Sequence, residues 1–170
     1  SFLSLSHNFG GGTQTYIDNI AGIYNNIHQV NIGRDDVVYV KEVSYNYQDL
    51  RSWITRDTTL IFSHLLIHDG PKYKIIKDLF YHIYNNCKYK KLIFIIHDYH
   101  LLFPTNPNPI KNECINDVPT NNDLEFVNYL FSKCNIIVFN SYNCLNNYKK
   151  FINMDNYKYI ITNTTPDIIT

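Results

Sequence analysis

Methionine and tryptophan occur once each in the 170 residues, and neither sign of charge prevails: 15 Lys and Arg stand against 15 Asp and Glu. Without a basic excess there is no electrostatic footprint for nucleic acid or an anionic membrane, so neither is expected as a partner. The four cysteines, Cys87, Cys114, Cys134 and Cys144, lack the paired short spacing of a zinc site, and no secretory segment precedes the first apolar run. Reduced, mostly buried thiols in a cytoplasmic setting are therefore expected. No apolar stretch is long enough to span a bilayer, so no transmembrane segment is expected. What is abundant is Asn, Ile, Tyr and Lys, with 15 Tyr and 10 Phe. Asn25-Asn26, Asn85-Asn86, Asn121-Asn122 and Asn146-Asn147 lie in or beside helical patterns and are read as composition, not as function.

The length suits a single domain. Five apolar runs each end on a polar residue: FLSLSH at His7, TLIFSH at His64, KLIFIIH at His97, NIIVFNS at Ser141 and KYIITN at Asn163. A strand covered on both faces reads as a continuous apolar run, and in an open parallel sheet the ligand lies beyond the strands' carboxyl ends. The terminal polar residues thus mark one candidate site. VVYV at Val37 to Val40 reads as a further strand, and Gln48 to Ile54 as a short helix.

Between the runs lie helical patterns. Thr13 can cap a helix with Tyr16, Ile17, Ile20, Ala21, Tyr24 and Ile27 on its apolar face. Asp69-Gly70-Pro71 reads as the start of a second, continuing through Ile75, Ile76, Leu79, Phe80 and Ile83. A third carries Leu124, Val127, Leu130, Phe131 and Cys134, and a fourth, capped by Ser141, turns Leu145, Tyr148, Phe151 and Ile152 inward. The alternation predicts an α/β fold, a Rossmann-like parallel sheet with helices on both faces. From Leu101 to Asn122 the chain is rich in Pro and Asn, and an irregular binding loop hanging over the crevice is expected there.

Two segments carry chemistry. Gly10-Gly11-Gly12 between strand and helix would let a phosphate approach the backbone and meet the helix's unpaired N–H groups; its bland counterpart is a tight turn. No Lys-Ser/Thr follows, which excludes a Walker loop, and Thr15 stands where the dinucleotide fingerprint has its last glycine, although Asp35 and Asp36 fall near the position of its ribose-binding acid. The other segment is His97-Asp98-Tyr99-His100. A metal is not expected there, because no partner cluster of ligands is evident; a histidine at a strand end can instead hydrogen-bond a sugar hydroxyl or a phosphate.

The ordered set SHNFGGGTQTYIDNIA, LIFSHLLIHDGPKYKIIKDL, LIFIIHDYHLLFP, VFNSYNCLNNYKKF and YIITNTTPD resembles the amino-terminal domain of family 4-like retaining glycosyltransferases with the GT-B fold, over nearly the whole chain. Gln14 replaces that family's usual acid, Phe103 its usual cysteine, and Thr164-Thr165-Pro166 its usual Gly-Val. The family's second Rossmann-like domain and its paired glutamates are not in these residues, so the chain is expected to be an excised amino-terminal domain or a short remnant.

The resemblance implies retaining, metal-independent sugar transfer from a nucleotide-sugar donor to a carbohydrate or lipid-linked acceptor, with no cofactor beyond the co-substrate. Carried over, Gly11, Gly12 and Thr13 would meet the donor phosphates and His97 would be the catalytic residue beside the reacting carbon. His64, Asp98, Tyr99 and His100 would shape the acceptor pocket. Without the missing carboxy-terminal Rossmann domain, little or no activity is expected. An NAD-binding oxidoreductase domain and a non-catalytic sugar- or protein-binding remnant are the alternatives.

Overall fold

The computed structural model describes residues 2–6, 27–33, 37–40, 43–63, 65–69, 72–75, 77–106, 109–111, 114–115 and 117–162. Its main sheet has eight strands: β1 (Phe2–Ser6), β2 (Ile27–Ile32), β3 (Val37–Val40), β4 (Val43–Asn46), β5 (Thr59–Phe62), β8 (Lys91–Ile96), β11 (Ile136–Phe139) and β12 (Tyr159–Ile161). They lie in the order β12-β11-β8-β5-β1-β2-β3-β4. β1 pairs in parallel with both β2 and β5, and β11 with β12, whereas β2–β3 and β3–β4 are antiparallel. The fold is α/β with a mostly parallel, Rossmann-like sheet. The chain divides into two compact units, Ser1–Ile93 and Phe94–Thr170, within β8.

In the first unit, the register sets Leu3 beside Leu60 and Leu5 beside Phe62 and Val30, so these side chains share one face. All of them are buried, as is every residue of β5. That face meets helix α1 (Lys77–Asn86), which buries Leu79, Phe80 and Ile83, and the Phe62 and Phe80 rings pack edge to face at 5.8 Å. A 3₁₀ helix, Tyr47–Ser52, follows β4; Asn46 caps it by accepting from the Gln48 amide at 2.9 Å, which bears out the short helix expected near Gln48. Beyond it, Trp53 meets the Tyr45 ring at 4.7 Å in a T-shaped contact.

Two expectations are revised or left aside in this unit. The helix expected from Asp69 begins only at Lys77, and the described residues before it include an antiparallel strand pair, β6 (Leu66–Asp69) with β7 (Lys72–Ile75), in whose register Asp69 pairs with Lys72. Lys72-Tyr73-Lys74-Ile75 alternates polar and apolar with period two, a strand pattern that overrides the capping signal. Strand β2 has no continuous apolar run, because Val30 and Ile32 are buried while Gln29 and Asn31 are half-exposed. Ile27, expected on the first helix, opens it, and the rest of that helix lies outside the described residues.

In the second unit, helix α2 (Asn121–Lys133) buries Val127, Leu130 and Phe131 as expected and Phe126 besides, while Leu124 is half-buried and Cys134 caps the helix's carboxyl end. Thr120 caps it reciprocally, accepting from the Asp123 amide at 3.2 Å and donating to the Asp123 carboxylate at 2.9 Å. Helix α3 (Tyr142–Lys149) starts at Ser141, whose hydroxyl accepts from the Cys144 amide at 3.1 Å, again as expected. Phe131, Phe139 and Tyr148 pack as an aromatic core, with Phe139 and Tyr148 5.5 Å apart. The described residues of the Pro/Asn segment are more regular than expected. Leu101, Leu102 and Phe103 are core residues, and a short ladder joins β9 (Ile110–Lys111) to β10 (Cys114–Ile115). Three consecutive apolar side chains anchor the segment because burying them outweighs the turn propensity of its prolines and asparagines. Among the described residues, no helix is long and apolar enough to cross a membrane.

Candidate functional site

The carboxyl end of β8 delivers His97, Asp98, Tyr99 and His100 in a tight turn, closed by Leu102 and Phe103 amides donating to the Tyr99 carbonyl at 3.1 and 2.9 Å. β11 ends alongside, for the Asn140 amide donates to the Ile96 carbonyl at 3.0 Å, and the Asn140 side chain reaches the His97 carbonyl at 3.4 Å. Asn140 and Ser141 therefore border the same turn, as expected of strand-end polar residues in a parallel sheet.

Asp98 is the hub. One carboxylate oxygen lies 3.4 Å from His97 Nδ1 and 2.5 Å from His100 Nδ1, while the other accepts from the His100 amide at 3.0 Å. The three side chains are 16%, 26% and 21% exposed for His97, Asp98 and His100, so the cluster is sheltered yet open to solvent. Burial alone would raise the Asp98 carboxyl. The His100 ring hydrogen bond, the charges of His97 and His100 and the His100 amide outweigh it, and hold the group down at about 2. Orienting an imidazole through Nδ1 with a carboxylate fixes which ring nitrogen meets a ligand.

Tyr99 points the other way. Its ring is buried, its hydroxyl accepts from Asn147 Nδ2 at 2.7 Å, and it stacks on Tyr148 with centroids 5.9 Å apart. Burial pushes its phenol up, and likewise pushes the neighbouring Cys144 thiol up to about 12, so neither ionises at neutral pH. Tyr148, with no exposed surface, donates to the Asp98 carbonyl at 2.9 Å.

The structure thus joins His97, Asp98 and His100 in one cluster and seats Tyr99 beneath it. Gly11, Gly12, Thr13 and His64 lie outside the described residues, as do Asp35 and Asp36. Sequence reading passed over Asn140, Asn147 and Tyr148 as partners of the turn. Asn147 carried a signal: it falls with Cys144, Leu145 and Tyr148 on the buried side of α3, where a buried amide needs a specific partner. Among the described residues, no group of three His, Cys, Asp or Glu side chains is arranged to hold a metal ion. The first unit contains a cavity of about 410 Å³ lined by Leu3, Val30, Val40, Tyr45 and Trp53, none of them a residue expected at the site.

Fold and site together define a class, an α/β protein of Rossmann-like architecture with an acid–imidazole cluster at the carboxyl end of a sheet strand. Comparison with protein-family models, curated proteins and solved structures finds no match for the chain.

Proposed function

We propose that the chain is the acceptor-side, amino-terminal domain of a retaining GT-B glycosyltransferase that moves a sugar from a nucleotide-sugar donor to a carbohydrate or lipid-linked acceptor. The observation that carries this reading is the His97–Asp98–His100 cluster at the end of β8, beside Asn140 and the start of α3. Sugar recognition calls for oriented donors and acceptors in a sheltered, partly wet site, and Asp98 supplies that orientation to two imidazoles.

In this reading His97 hydrogen-bonds the donor sugar near the reacting carbon, and Gly11, Gly12 and Thr13 hold its diphosphate. His64 and His100 border the acceptor, while Asp98 and Tyr99 set the shape of that pocket. Catalysis rests on positioning and on dipoles that steady the leaving diphosphate, and a second Rossmann-like domain is needed to close water out. The 170 residues alone therefore bind the donor weakly and turn over little or not at all, and the setting of the reaction is cytoplasmic.

Chemical-shift titration with UDP-glucose, GDP-mannose and NAD tests this. Saturable shifts at His97 and Gly11–Thr13 with either nucleotide sugar support the transferase reading, and His97→Ala should abolish them at position 97 and weaken binding at least tenfold, about 1.4 kcal/mol. Shifts with NAD alone, centred on Gly10–Thr15 and Asp35, would replace it with a dinucleotide-binding domain. No shift with any of the three would end it.

A further inference from the structure

We propose that Asn147 and Tyr148, consecutive on α3, are positioning residues that hold the turn 97–100 so that Asp98 meets both imidazoles. In calling that cluster a ligand site the proposal rests on the preceding reading; the clamp itself can be tested without ligand.

Three consecutive residues of the turn are each gripped from the segment β11–α3. Asn140 reaches the His97 carbonyl at 3.4 Å, Tyr148 donates to the Asp98 carbonyl at 2.9 Å, and Asn147 donates to the Tyr99 hydroxyl at 2.7 Å. Tyr148 is wholly buried and Asn147 is 3% exposed. Packing does not call for these polar atoms. A Phe at 148 would complete the aromatic core with Phe131 and Phe139, and an aliphatic residue at 147 would fill its volume with no amide to desolvate. Buried hydroxyl and amide groups are costly unless paired, and here each is paired with the turn.

Backbone carbonyls held at residues 97 and 98, with the Tyr99 side chain tied at its hydroxyl, leave the Asp98 carboxylate little freedom in how it approaches the rings, and sites of this kind tolerate only about half an ångström of play. The titratable groups that face Asp98 are His97, His100, Tyr99, Tyr148 and Cys144. Removing the Tyr148 hydroxyl changes no charge among them at neutral pH, so its effect is one of geometry.

Long-range ¹H–¹⁵N spectra of the histidine rings in the ligand-free chain provide the test, because ring ¹⁵N shifts report the tautomer. The wild-type rings of His97 and His100 should show Nδ1 protonated. In Tyr148→Phe both should move toward the averaged shifts of a freely tautomerising imidazole. Tyr157→Phe is the control: it removes a hydroxyl from the same unit, bonded instead to the Asn128 carbonyl at 3.3 Å and side chain at 2.9 Å, and should leave the rings unmoved. If Tyr148→Phe does not fold, Asn147→Ser is read by the same criterion. Spectra of the clamp variants superposing on wild type, or an equal response to Tyr157→Phe, would overturn the proposal. Failure of nucleotide-sugar binding would instead remove the transferase reading and leave the clamp standing.

Discussion

His100 engages both oxygens of the Asp98 carboxylate, its ring Nδ1 at 2.5 Å from one and its backbone amide at 3.0 Å from the other. His97 approaches the first oxygen from the opposite side in sequence, at 3.4 Å. A single acid thus ties together the residues before and after it, and the turn they form is as much an electrostatic unit as a backbone one.

Acid stability should expose that unit. The folded Asp98 carboxyl titrates at about 2 instead of 3.8, so the folded chain binds this proton less readily than the unfolded chain. Its contribution is then complete above about pH 4 and is lost as pH falls through about 2, amounting to about 2 kcal/mol. Urea unfolding at intervals between pH 5 and pH 2 should show this loss in wild type and a flatter profile in Asp98→Asn. Equal slopes in the two proteins would mean that the pairing contributes nothing.

Ser141 should act first as a helix cap. Its hydroxyl accepts from the Cys144 amide at 3.1 Å, so Ser141→Ala is expected to cost about 1 kcal/mol and lower Tm by about 2–4 °C. Ser141→Asp keeps an acceptor at the cap and should unfold near wild type. An alanine variant melting at the wild-type temperature would show that α3 does not depend on this bond.

Gly33 directly follows β2, and its amide donates to the carbonyl of Val37, the first residue of β3, at 2.8 Å. A Cβ there would stand 2.5 Å from the Tyr39 ring and 3.1 Å from the Val37 carbonyl oxygen. Gly33→Ala should therefore destabilise the chain by about 1 kcal/mol through crowding. Tyr39 is partly exposed, so Tyr39→Ala in the same chain should recover most of that loss in a double-mutant cycle. An additive cycle would place the crowding elsewhere.

The strands that read clearly from sequence were those with continuous apolar runs. TLIF and KLIFII are buried nearly throughout, and their composition alone marks them as interior. β2 and β7 were obscure because polar residues alternate with apolar ones, and at β7 a proline next to an Asp-Gly pair imitates a helix start. The position of His97, Asp98 and His100 was legible, since strand-end residues of a parallel sheet gather at one edge. Their support was not: Asn147 and Tyr148 lie 48 and 50 residues from their partners in the chain, and no local pattern encodes a hydrogen bond across that separation. Ser141 was readable as a cap because that bond closes within three residues.

Trp53, the only tryptophan of the chain, borders the hollow formed with Leu3, Val30, Val40 and Tyr45. Under excitation selective for indole, the emission of the entire polypeptide therefore originates from one wall of that space. The protein carries its own optical gauge there: a guest settling against the ring would alter colour or intensity without any label, and silence across a library of small apolar compounds would be equally interpretable.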